Sequence, residues 1–139
     1  FGCPMKAVGS LGLQIEGFPN LLTLVGPHNA ATFCNIPRCI EQNVEWVAEL
    51  FGYIQANGIT RIAATLEAED AWTEHVYETA AELLFTKVDS WFMGINSNIP
   101  GKDRRTFLLY AGGAPAYRDR CDEVSANGYE GFALQKVAG

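Results

Sequence analysis

Residues 21–54 read LLTLVGPHNAATFCNIPRCIEQNVEWVAELFGYI, and the fold class turns on how this stretch divides. Leu21-Leu22-Thr23-Leu24-Val25 is a continuous apolar run closed by the breakers Gly26-Pro27. A run of that kind suits a strand covered on both faces, as in a parallel sheet. A loop follows from His28 to Cys34. Beyond it Ile36, Ile40, Val44, Val47, Phe51 and Ile54 recur at steps of three and four, on one face of a helix. Asn35 is placed to cap that helix, Pro37 falls in its first turn where a missing N–H costs nothing, and Gly58 supplies a left-handed stop. The stretch therefore predicts strand, loop and helix in succession.

Working outward, Gly2, Gly9, Gly12 and Gly17 interrupt the first twenty residues, and Gly17-Phe18-Pro19-Asn20 reads as a turn. A second helix is expected from near Leu66, with Glu67, Glu69 and Asp70 complementing the dipole of its first turn and Trp72, Val76, Ala80 and Leu83 facing inward. From Lys87 to Arg105 aromatic residues alternate with strong breakers, the pattern of a long functional loop. Thr106 to Ala111 then reads as a short strand, Pro115 to Asn127 as a helix with Tyr117, Cys121 and Val124 inward, and Tyr129 to Leu134 as a last strand. Strand, helix and strand joined so tightly suggest a right-handed parallel crossover.

The chain has 139 residues, 10 basic against 16 acidic, and a net charge of −6. Phosphate-tracking surfaces need clustered Lys and Arg, so neither nucleic acid nor an anionic membrane is an expected partner. The longest apolar stretches are strand-sized and far short of a bilayer span. No signal peptide is visible, and a cytoplasmic location is expected. Cys3, Cys34, Cys39 and Cys121 contain no C-x-x-C pair, and His28 and His75 lie far apart. The expectation is four free thiols in a reducing compartment and no metal site.

The richest chemistry in this pattern is the helix beginning at Asn35. Its first turn offers unpaired N–H groups and the positive end of a dipole, which receive anionic or carbonyl-bearing ligands; the alternative is a helix that simply packs on its sheet. Thr32, Phe33 and Cys34 would face whatever binds there. His28 is expected in solvent, His75 in packing, and Glu41, Glu45 and Glu49 along a solvated stripe. Cys34 and Cys39 flank the helix start, where the dipole can lower a thiol pKa, although buried inert cysteine is the commoner case. No G-x-S-x-G, P-loop or G-x-G-x-x-G occurs, so the chain cannot by itself hold a dinucleotide in the usual way.

Several blocks together resemble the closing part of Baeyer–Villiger monooxygenases. They are Gly17-Phe18-Pro19-Asn20-Leu21, Gly26-Pro27, Ile40-Glu41-Gln42-Asn43-Val44-Glu45-Trp46, Glu69-Asp70-Ala71-Trp72 with His75-Val76, and Ser90-Trp91-Phe92-Met93-Gly94. Asn98-Ile99-Pro100-Gly101-Lys102, Tyr110 with Gly112-Gly113, Tyr117-Arg118 with Cys121-Asp122-Glu123, and Gly128-Tyr129 with Gly131-Phe132 continue the likeness over about residues 11 to 135.

The resemblance implies an α/β chain: the C-terminal part of a Rossmann-like FAD domain (strand, loop, helix), then a helical segment, a long loop and a small strand-helix-strand unit. It implies residues 1–64 closing the FAD-binding domain and 65–139 covering the nicotinamide cofactor site. It further implies an enzyme in which NADPH reduces FAD and dioxygen is then used to turn a ketone into an ester or lactone. Asn35, Ile36 and Pro37 would meet the flavin, Trp91 the nicotinamide cofactor, and Thr32 and Phe33 the ketone. The family's glycine fingerprints and catalytic arginine belong upstream, so the implied partner is the upstream portion of the same enzyme, and this chain is expected to hold no catalytic residue. The chain departs from the family in a longer loop at Met93 to Asn98, in Asp103 after Lys102, and over Phe1 to Ser10. The competing expectation is a non-catalytic remnant, or a small-ligand-binding α/β module, that self-associates.

Overall fold

A computed structural model describes residues 10–29, 34–96, 98–101 and 105–136. Three helices and a two-stranded sheet are present among them: α1 (Ile36–Asn57), β1 (Ile59–Ala64), α2 (Leu66–Ala80), α3 (Ala114–Ala126) and β2 (Phe132–Lys136). Single 3-10 turns at Leu84–Lys87 and Trp91–Met93 punctuate the long connection between α2 and α3.

The helices form where the periodicity places them. Asn35 stands at the N-cap of α1 in extended conformation with Pro37 in the first turn, and Gly58 ends it at φ 62°, its N–H returning to the carbonyls of Gln55 and Ile54. Thr65 caps α2, its Oγ1 accepting the Ala68 N–H at 3.2 Å. Tyr117, Cys121 and Val124 are the buried residues of α3, as the sequence predicts.

Of the expected strands only the last is present, β2 (Phe132–Lys136) overlapping the expected Tyr129 to Leu134. Leu21 to Val25 is not a strand: Val25 has φ 50°, and Leu21 and Leu24 are about half exposed. With no neighbouring strand to pair with, the run is held by scattered bonds, Thr23 N–H to the Leu13 carbonyl at 2.7 Å and Val25 N–H to Asn43 Oδ1 at 2.9 Å. Thr106 to Ala111 is likewise no regular strand. Its backbone bonds go to His28, Phe92 and Met93 in separate places. The parallel crossover is also corrected, because the sheet consists of β1 and β2 paired antiparallel, Ile62 opposite Leu134 and Ala64 opposite Phe132. The free edge of β1 is closed by a side chain: Asn20 Oδ1 accepts the Ile62 N–H at 2.9 Å while the Asn20 N–H donates to the Ile62 carbonyl at 2.9 Å.

The core gathers between the helices. Trp46 of α1 donates Nε1–H to the Cys121 carbonyl at 2.9 Å and meets the Tyr129 ring edge-on at 5.3 Å. Trp72 of α2 stacks on Tyr110 at 5.1 Å and donates to the His28 carbonyl at 3.2 Å. Tyr117 reaches across to the Leu11 carbonyl at 2.9 Å, tying α3 to the first described residues.

Helix α1 is apolar on two sides. Trp46, Leu50, Cys39 and Asn43 are buried within the chain. The stripe that reveals the helix in the sequence divides: Val47 and Ile54 pack against this core, whereas Ile36, Ile40, Val44 and Phe51 are between 40% and 52% exposed. Phe18, Leu21 and Leu24 add to the exposed apolar surface. A helix hydrophobic on both sides belongs to a layer covered on both sides.

Candidate functional site

The N-terminal turn of α1 opens onto a cleft of about 470 Å³. Asn35 makes no side-chain capping bond, and the first turn holds no acidic residue. The N–H groups of Ile36 and Arg38 therefore have no acceptor within the helix, and Pro37 has no N–H to offer. Among the described residues, Arg38 and Arg118 line the cleft and no carboxylate does. Dipole and guanidiniums together make its potential positive, which suits an anionic or carbonyl-bearing group.

Asn29 forms the floor. It is fully buried, and its Nδ2 donates to Asn43 Oδ1 at 2.7 Å, the same oxygen that receives Val25 N–H. Among the described residues its own Oδ1 has no partner, and an unpaired buried acceptor costs about 1–3 kcal/mol. Asn29 and Asn43 escape a sequence reading, because nothing in their immediate neighbours marks an asparagine as buried.

Cysteine chemistry departs from the expectation of free thiols. Cys34 and Cys39, both in the cleft wall, are joined as a disulfide, and Cys121 is free and buried, its thiol pushed up to about 11 by burial. Tyr117, beside it, is held well above the usual phenol range by the same burial.

His28 is also corrected. Expected in solvent, it is completely buried, with φ 65°, its N–H bonded to the Leu108 carbonyl at 2.9 Å and its Nε2–H donated to the Phe107 carbonyl at 2.6 Å. Desolvation holds the imidazole below its ordinary pKa, partly opposed by the Phe107 bond. His28 is thus a neutral strut between the segment ahead of α1 and the segment ahead of α3. His75, expected in packing, is exposed, with its ring bonded to Tyr110 Oη at 3.0 Å and lying beside Trp72.

Of the sequence-predicted site residues, Asn35, Ile36 and Pro37 stand together at the exposed tip of α1. Thr32 and Phe33 lie outside the described residues. Trp91 is on a different element, 68% exposed, its ring against Phe92 at 4.0 Å. Its loop is anchored by Arg105, which pairs with Asp89 at 2.7 Å and donates to the Thr86 carbonyl at 2.6 Å, while Met93 is buried beneath. A firm base with an exposed aromatic tip is the form of a loop that folds onto something else.

No cluster of metal-ligating side chains occurs among the described residues, and no helix there is long and apolar enough to cross a membrane.

No family model matches the chain. It is 42% identical over 124 residues to a 2-oxo-Δ3-4,5,5-trimethylcyclopentenylacetyl-CoA monooxygenase of Pseudomonas putida, covering 89% of this chain and 23% of that protein. It is 44% identical over 126 residues to the methyl acetate-forming acetone monooxygenase of Gordonia sp. strain TY-5, covering 90% and 23%. Among solved structures, cyclohexanone monooxygenase from Rhodococcus sp. Phi1 bound to NADP+ superposes with a TM-score of 0.86 at 37% identity, over 95% of this chain and 24% of that one. A steroid monooxygenase bound to NADP gives 0.82 at 34% identity, over 93% and 23%. The chain spans about a quarter of the length of the curated relatives it matches. It is a small α/β unit that matches one portion of their structures.

Proposed function

We propose that this chain, homologous along nine tenths of its length to Baeyer–Villiger and FAD-binding monooxygenases, is the C-terminal portion of such an enzyme, converting ketones to esters or lactones with NADPH and dioxygen. One observation in this chain carries the reading. The outward apolar stripe of α1, Ile36, Ile40, Val44 and Phe51, runs up to an uncapped N-terminus with no acidic residue. The stripe asks for more polypeptide, and the tip asks for an electron-rich group; the upstream portion of an FAD domain supplies both. In this reading residues 1–64 close the Rossmann-like FAD domain, and residues 65–139 cover the nicotinamide site.

The residues fit a flavin. Its pyrimidine edge presents carbonyl oxygens, and the exposed tip of α1 offers N–H donors at Ile36 and Arg38 beside a cleft lined by Arg38 and Arg118. When bound, FAD supplies the electron transfer from NADPH and the activation of dioxygen. This chain contributes binding and electrostatics: the α1 tip and Arg38 stabilise negative charge on the reduced ring. Trp91 covers the nicotinamide cofactor and excludes water there, and Thr32 and Phe33 shape the ketone pocket. The glycine fingerprints and the catalytic arginine belong to the upstream portion.

The test is turnover by the native protein. A yellow preparation in which a cyclic ketone stimulates NADPH oxidation, with lactone formed in proportion, supports the proposal. A colourless protein that self-associates through the stripe and forms no lactone overturns it in favour of a non-catalytic module.

A further inference from the structure

We infer that Cys34 and Cys39 are a redox-reversible dithiol site, oxidised by hydrogen peroxide, in the wall of the cleft ahead of α1. The inference goes beyond the flavin reading and does not depend on it.

Four observations carry it. The two sulfurs are joined in the structure, with Cα atoms 6.8 Å apart, within the span a disulfide bridges. Their spacing explains the meeting, because a side chain in the first turns of a helix leans back toward the N-terminus, which brings Cys39 of α1 onto the residue just ahead of Asn35. The surroundings are electropositive: both cysteines stand at the N-terminal end of α1, in a cleft that, among the described residues, is lined by Arg38 and Arg118 and by no carboxylate. Exposure divides the roles, since Cys34 is half-buried and open to the cleft whereas Cys39 is 7% exposed. An accessible attacking thiol backed by a shielded resolving one is the arrangement of a reversible sensor.

The chemistry balances. The Cys34 thiolate attacks one peroxide oxygen, the O–O bond breaks, and Cys34 becomes a sulfenic acid as the other oxygen leaves as water after taking a proton. The Cys39 thiolate then attacks that sulfur, the S–O bond breaks, and a second water leaves. Two thiols give two electrons to one peroxide, and a dithiol reductant reverses the step. The product ties the segment entering α1 to the helix itself and so fixes one wall of the cleft.

Arg38 lies between the two cysteines, so trypsin separates them onto peptides 7–38 and 39–61, and only a disulfide rejoins these. The native protein, reduced and freed of reductant, is treated with one equivalent of hydrogen peroxide, alkylated, digested and weighed. The expected result is the linked pair 7–38 with 39–61, two hydrogens lighter than the separate peptides, as the main form of both, lost again with dithiothreitol. Cys121, buried and with its thiol pushed up to about 11, stays on its own peptide unlinked. In Cys39→Ser, peroxide leaves Cys34 as a sulfenic acid that dimedone labels; Cys34→Ser takes no label at Cys39. Recovery of both cysteines separately alkylated, a link from Cys34 to Cys3 instead, or no dimedone label in Cys39→Ser overturns the inference.

Discussion

Asn29 and Asn43, fourteen residues apart, share a hydrogen bond of 2.7 Å through Asn29 Nδ2 and Asn43 Oδ1, and the same oxygen takes the Val25 N–H at 2.9 Å. One buried amide on α1 thereby fixes the segment that leads into its N-terminus and holds Asn29 in the wall of the cleft. The candidate site is held by its helix and not by a sheet.

Asn43→Ala removes that acceptor and leaves the buried Asn29 Nδ2–H and the half-buried Val25 N–H unpaired. Each costs about 1–3 kcal/mol, so denaturant unfolding should show a loss of about 2–6 kcal/mol. A change within about 0.5 kcal/mol, the size of an ordinary surface substitution, would contradict the clamp.

His28 gives a pH dependence whose sign follows from its burial. The folded state lowers the imidazole pKa, so below about pH 6.5 the unfolded chain binds more protons than the folded one. The stability that neutral His28 contributes is complete above that pH and is lost as pH falls toward the folded value, by up to about 1.4 kcal/mol per unit. Unfolding free energies between pH 7.5 and 5 should therefore fall more steeply in the natural protein than in His28→Gln. Equal slopes would show that the ring is not the titrating strut.

Much of the helical architecture is legible in the sequence, and little of the sheet is. Both ends of α1, the start of α2 and the buried trio of α3 follow from local caps and periodicity, which act within a few residues, whereas α2 stops at Ala80, short of the Leu83 expected on its inward face. Leu21 to Val25 and Thr106 to Ala111 carry strand-like apolar runs, yet strands exist only in pairs, and pairing is decided far along the chain. Ile59 to Ala64 shows the converse: an unremarkable stretch becomes β1 because residues 132–136 lie beside it. The α1 tip is visible in the sequence through Asn35, Pro37 and the helical stripe, whereas the floor at Asn29 and Asn43 and the burial of His28 arise only from contacts between distant segments.

The stripe of α1 supplies a further prediction. Val44 is about half exposed here, and if polypeptide covers it in the native protein, Val44→Asp buries an unpaired charge there. Thermal or denaturant unfolding of the native protein should then show a loss of more than about 2 kcal/mol. A change within about 0.5 kcal/mol would mean that the stripe faces water.

Trp91 should behave in the opposite way. It is 68% exposed on an anchored loop, so Trp91→Ala should leave stability within about 0.5 kcal/mol. Its effect should appear as NADPH consumed without ester, measured as the ratio of the two. An unchanged ratio would remove Trp91 from the nicotinamide site.

The most direct measurement is the two-electron midpoint potential of flavin bound to the native protein and to Ile36→Pro. Proline is tolerated at the first helical position, so this change deletes one N–H from the tip of α1 while leaving the helix in place. A hydrogen bond to a charged group contributes about 1.5–3 kcal/mol, which for two electrons corresponds to about 30–60 mV. A potential lower by that amount, with helical circular dichroism unchanged, is expected if the α1 tip meets the flavin; the same potential in both proteins, or no flavin bound to either, would rule that contact out.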